Sequence, residues 1–141
     1  MNKYCFAEIE VGTEESFQVT ITSEMLEQFR KITGDVNPLH TDETYAQAKG
    51  YGGCVVYGML TASFLSTLAG VYLPGEKSLI HNVETKFVKP VFVGDTLTIQ
   101  GKVTEKQEIF SVLHLKVIIL NQNKEKVLRG SMQIGVLEDE K

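Results

Sequence analysis

The 141-residue sequence has no tryptophan and only 2 cysteines, 3 prolines and 3 histidines. Cys5 and Cys54 lie far apart and belong to no CxxC pair, so no disulfide scaffold, zinc site or redox motif is encoded, and both read as free, buried thiols. Positive charge is not in excess. Fourteen Lys and Arg stand against 18 Asp and Glu, giving a net of −4 with no basic stripe. That removes the electrostatic footprint of a nucleic-acid partner and leaves local positive charge only around Lys86 and Lys89. No secretory signal is expected, because Glu8 and Glu10 interrupt the apolar run it would need, and the expected location is the cytoplasm.

Charge of either sign is absent from Gly50 to Gly75. A run of about 20 apolar residues spans a bilayer. This one is punctuated by Gly52, Gly53, Gly58, Gly70 and Pro74 and lacks flanking basic clusters, so it reads as a loop followed by a buried helix, with no membrane partner.

What is present is a globular composition, 43% hydrophobic and 23% charged. A chain of this size buries about 68–70% of its unfolded surface. A single domain over 1–141 is expected, since no repeat or linker divides it. Phe17, Val19 and Ile21 alternate with polar residues as in a half-buried strand. Ser23 is the expected cap of a helix with Met25, Phe29 and Ile32 on one face, ended by Gly34. Thr41 is the expected cap of a second, closing at Lys49-Gly50.

From about Gly58 to Tyr72 the pattern is helical, with an apolar stripe of Leu60, Phe64, Leu68 and Val71 and a small-residue face of Ala62, Ser63, Ser66 and Gly70. A helix without a charged face belongs inside something. The second half reads as strands: Ser78 to Phe87, then a bend at Pro90 and Val93-Gly94-Asp95, then alternation at Leu97, Ile99 and Val103. Phe110 to Leu120 reads as a central strand apolar on both faces, and Asn121-Gln122-Asn123 turns the chain into Val127 to Val136. Short helices, one buried helix and a run of antiparallel strands make an α+β domain.

The stretch GDVNPLHTD, Gly34 to Asp42, concentrates scarce residues. Gly34, Asp35, Asn37 and Pro38 are turn formers, and composition alone predicts a loop between two helices. A calcium loop fails because His40 and Ala46 occupy the required Gly and Glu positions. A metal cluster of Asp35, His40 and Asp42 lacks a second histidine. The remaining chemistry is acid–base: a carboxylate and an imidazole on one rigid turn can hold a water, and an imidazole with a reference pKa of about 6.5 exchanges protons near neutrality. Spacing alone leaves these readings open.

Residues Phe29 to His40, FRKITGDVNPLH, followed by Ala46, resemble the signature of the (R)-specific enoyl-CoA hydratases, the hydratase 2 or MaoC-like group of hot-dog proteins. Val56-Tyr57-Gly58-Met59-Leu60-Thr61-Ala62-Ser63 is similar to that family's entry to its central helix, and Lys86 to Asp95 to its strand and bulge. The similarity runs from about residue 10 to 136.

The resemblance implies a hot-dog fold, a sheet wrapped around the long helix, and reversible hydration of trans-2-enoyl thioesters to (R)-3-hydroxyacyl thioesters of CoA or acyl carrier protein. Asp35 and His40 would activate the water, with Asn37 supporting the turn. Ser66 falls where the family keeps a hydroxyl bonded to the catalytic carboxylate. The backbone N–H of Gly58, at a helix N-terminus, would face the thioester oxygen as enolate charge develops. No metal or redox cofactor is implied, and a homodimer joined edge to edge is.

Tyr57 stands where the family commonly has histidine, which would alter the pocket wall and the acyl group accepted. A hot-dog thioesterase and a non-catalytic thioester binder are the alternatives. Simple thioesterases of the fold usually carry their carboxylate on the long helix, and Gly58 to Tyr72 has no acid.

Overall fold

In the computed structural model, which describes residues 1–138, the alternating segments become one antiparallel sheet. An N-terminal strand, β1 (Glu14–Thr20), joins β2 (Ser78–Phe87), β3 (Thr96–Gln107), β4 (Val112–Leu120) and β5 (Lys126–Val136) in the order β1-β3-β4-β5-β2. Register follows the two-residue period: Phe17 pairs with Ile99 and Val19 with Leu97, which keeps the apolar sets on one face. Leu97, Ile99 and Val103 are buried, as their alternation predicts. The turn into β5 is built by Asn121, whose side-chain oxygen accepts from the N–H groups of Asn123 and Glu125.

Strand β4 differs from expectation in two respects. It begins at Val112, because Ile109 and Phe110 lie exposed in a hairpin turn where Ser111 takes φ 51°. It is also one-sided: Leu113, Leu115, Val117 and Ile119 are buried, while Lys116 between them is exposed. One face of the sheet is core and the other reaches solvent, as antiparallel sheets commonly allow.

Among the described residues a short 3-10 turn, Phe6–Glu8, and four α-helices accompany the sheet: α1 (Ser23–Thr33), α2 (Pro38–Thr41), α3 (Glu43–Ala48) and α4 (Gly58–Thr67), the last passing into a π-helical turn, Leu68–Tyr72. Alone, ten residues would be a marginal helix in water. Packing holds α4: Leu60, Leu65, Leu68 and Ala69 are buried with Leu115, Ile119, Leu128 and Met132 of the sheet in one core. Each fully buried leucine contributes about 1.5–3 kcal/mol, more than the helix could gain from propensity.

The stripe is rotated from the one expected, since Leu65 and Thr61 are buried whereas Phe64 is half-buried and Val71 partly exposed. On the small-residue face Ser63 and Ser66 are exposed. Among the described residues no helix is long and apolar enough to cross a membrane. A sheet wrapped on a central helix in this order is the α+β hot-dog fold.

Candidate active site

Helix α1 delivers the chain to the site. Its cap is Thr22 rather than Ser23, with the Thr22 hydroxyl accepting from the Met25 N–H at 3.3 Å. Its buried side is Met25, Leu26 and Phe29, while Ile32 is 82% exposed. Gly34 ends it in the left-handed region, φ 74°, and donates to the Arg30 carbonyl at 2.8 Å, a conformation in which a side chain would be strained.

The next residues are not plain loop. Asn37 caps a single helical turn, α2, by accepting from the Leu39 N–H at 3.0 Å, and Pro38 fills the first helical position, where its missing N–H costs nothing. Thr41 is not a cap. It ends α2, and Asp42 caps α3 instead, accepting from the Tyr45 N–H at 3.1 Å with its negative charge toward the positive end of the helix.

Asp35 is fixed through three bonds. Its N–H donates to the Thr33 hydroxyl at 3.2 Å, its Oδ1 accepts from the Asn37 N–H at 3.0 Å, and its carbonyl accepts from the Tyr57 hydroxyl at 2.7 Å. Of the carboxylate, this leaves Oδ2 for other work. His40 lies on α2 and bonds through Nδ1 to the Val55 carbonyl at 2.6 Å. A carbonyl can only accept, so Nδ1 carries the hydrogen and, in the neutral ring, Nε2 presents its lone pair.

Tyr57 ties the two together. Its ring stacks on His40 at 4.2 Å between centroids and leans on Phe29 at 4.9 Å, while its hydroxyl holds Asp35. It is 2% exposed. Burial first, and the nearby Asp35 carboxylate second, push its phenol above the ordinary tyrosine value, against the opposing pull of Arg30. The clamp was not legible in the sequence, which presents Tyr57 only as a wall residue. Thr33 was also missed, although a hydroxyl just before a helix-ending glycine is a local signal for such a bond.

Tyr57 is followed by the N-terminus of α4. Val56 donates to the Val91 carbonyl at 2.8 Å, and Val55 bridges to Phe92, so the bend after β2 anchors the helix entry. A Cβ on Gly58 would lie 3.1 Å from the Phe87 ring, so glycine is what lets that ring sit there.

Two clefts flank the Tyr57-Gly58 junction. One of about 310 Å³ is lined by Arg30, His40, Glu43, Cys54, Tyr57 and Val93. The other, about 250 Å³, is lined by Gly58, Thr61, Phe87, Val88, Pro90 and Val127 among others. Tyr57 thus touches both the Asp35 backbone and the His40 ring; His40 and Tyr57 line the first cleft, Gly58 opens to the second, and Asp35 is exposed and lines neither. Ser66 is exposed on α4, and no bond joins it to Asp35 among the described residues.

Cys54 is free and half-buried, as is Cys5. Burial, then the Glu43 and Asp42 carboxylates, push the Cys54 thiol up and keep it from being a ready nucleophile. Asp42 is spent on its cap, and among the described residues no three His, Cys, Asp or Glu groups converge as metal ligands.

Comparison with known proteins supplies the family. The profile described as MaoC like domain matches residues 6–124. The (R)-specific enoyl-CoA hydratase of Rhodospirillum rubrum is 36% identical over 106 residues, 72% of this chain and 74% of that protein. The enzyme of the same name from Aeromonas caviae is 33% identical over 114 residues, 81% of this chain and 85% of that protein. The solved structure of an unliganded R-hydratase from Pseudomonas aeruginosa superposes with a TM-score of 0.89 at 28% identity, covering 95% of this chain and 86% of that one. The chain belongs to the MaoC-like family and is an enzyme of the hydratase/dehydratase class.

Proposed function

We propose that the protein adds water reversibly across the double bond of trans-2-enoyl thioesters, carried by CoA or acyl carrier protein, to give (R)-3-hydroxyacyl thioesters. The observation that carries this reading is the Tyr57 clamp, which holds the Asp35 backbone and the His40 ring in one rigid unit directly before the helix that begins at Gly58. The names of the relatives from R. rubrum and A. caviae support the substrate class.

In the proposed reaction, Asp35 and His40 together take a proton from water as its oxygen bonds to C3. The C2–C3 π electrons move toward the thioester oxygen, and the pair returns a proton to C2. Asn37 keeps the turn in place, and the Gly58 N–H receives the enolate-like oxygen. Ser66 has the supporting hydroxyl in this proposal on the family resemblance alone, since in the single chain it is exposed and has no bond to Asp35 among the described residues.

A second copy of the chain is part of the proposal. Among the described residues strand β2 ends the sheet with an unpaired edge, and apolar side chains are bare on it and beside the site: Phe87 is 53% exposed, Val36 70% and Met59 67%. Two copies joined along β2 would cover these groups and give the two clefts a common wall.

The test is hydration of crotonyl-CoA, followed as loss of the conjugated thioester's absorbance. Asp35→Asn and His40→Ala should each lower kcat by about 10²–10⁴ with the fold retained. Release of free thiol in place of hydration, or both variants turning over like wild type, would overturn the assignment.

A further inference from the structure

Thr61 is buried, 2% exposed, yet its hydroxyl has no hydrogen-bond partner among the described residues. In a helix, a threonine hydroxyl ordinarily bonds the carbonyl four residues back. Here that carbonyl, of Tyr57, already accepts the N–H groups of Leu60 at 3.0 Å and Thr61 at 3.1 Å, which occupy its two lone pairs. An unpaired buried hydroxyl destabilises a protein by about 1–3 kcal/mol. Valine would fit the same space without that loss.

Position explains what the hydroxyl could serve. Thr61 and Gly58 are three residues apart on α4, hence on one face, and both line the same 250 Å³ cleft. Helical side chains lean toward the N-terminus, so the Thr61 side chain reaches back over the first turn, where the Gly58 N–H has no partner within the helix. Phe87, Val88, Pro90 and Val127 offer apolar walls to this cleft, and Tyr51 and Lys89 bring the polar groups. A peptide donor and an unpaired, buried hydroxyl therefore belong to neighbouring residues on the wall of one cleft, and away from water a hydrogen bond to developing charge is strengthened.

We propose that the Thr61 hydroxyl is a second hydrogen-bond donor to the thioester oxygen, acting beside the Gly58 N–H. The inference rests on the thioester reading above and adds a residue to it. Because charge on that oxygen grows toward the transition state, the bond belongs to kcat more than to KM.

The experiment compares Thr61→Val and Thr61→Ser with wild type. The valine variant should melt at the same temperature or higher, having lost an unsatisfied hydroxyl, while its kcat on crotonyl-CoA falls on the order of 10²-fold with KM little changed. The serine variant should keep wild-type kcat. A readout independent of turnover is the infrared carbonyl band of bound butyryl-CoA labelled with carbon-13 at the thioester. Wild type should lower its frequency, and Thr61→Val should return it part of the way.

Wild-type kcat in the valine variant, equal losses in valine and serine, or a band indifferent to the substitution would each overturn the role of Thr61. If wild type shifts the band but hydrates no enoyl thioester, the hydration reading fails and the donor assignment stands.

Discussion

Tyr57 shows how much one side chain can organise. Its hydroxyl ends on a backbone carbonyl, so what it fixes is the path of the chain at Asp35, while its ring sets the plane of His40. The phenol is raised above its ordinary value by burial and then by Asp35. For a raised acid the sign is definite. Below about pH 10 folded and unfolded chains both keep the proton and the full stability is present; above it the unfolded chain ionises first, and stability is lost as pH climbs toward the folded value. Tyr4, raised chiefly by its hydrogen bond to Glu15, adds a loss of the same sign. Tyr57→Phe should therefore reduce, without abolishing, the alkaline fall in stability, measured as melting temperature from pH 8 to 11. At neutral pH it should cost about 0.5–1.5 kcal/mol for the missing bond. An unchanged alkaline slope would mean that the phenol is not held as described.

At the scale of elements, the N-terminus of α4 is the part whose chemistry can be separated from its shape. Tyr57 has φ −52° and ψ 122°, the extended geometry that a following proline requires, and proline is well tolerated at the first helical position. Gly58→Pro removes the N–H, whereas Gly58→Ala keeps it and only presses on the Phe87 ring. If the N–H receives the thioester oxygen, the proline variant should fall about 10²–10³-fold in kcat below the alanine variant. Equal activities would remove the N–H from the mechanism.

The same scale shows what the sequence could disclose. Gly34 as a stop, Asn121 as a turn, the span of β2 and the alternation in β3 were legible because each depends on a few neighbouring residues. The caps at Thr22 and Asp42 were each displaced by one residue, since adjacent hydroxyl and carboxylate groups compete for the same N–H. Ile32 and Ser66 were placed on helix faces by periodicity, but periodicity cannot tell whether anything lies against that face. Asp35 and His40 stand out in the sequence as a motif; the bonds to them from Tyr57 and Val55 come from residues 15 to 22 positions away and were not legible.

For the whole molecule, the unpaired edge of β2 decides whether one chain can be the enzyme. Val83, 45% exposed, lies on this edge and pairs on its other side with the buried Met132. Sheets commonly protect a free edge with charge, and a second copy would exclude such a charge. On the proposed pairing, wild type should be a dimer by light scattering and Val83→Lys a folded monomer, and hydratase activity should fall with the dimer. Gln18→Lys, on the opposite edge strand β1, is the control and should change neither. The pairing matters for chemistry because His40 and Gly58 open to separate clefts within one chain. A Val83→Lys monomer that retained full turnover would show that one chain joins those clefts unaided, and the seam along β2 would then have no part in catalysis.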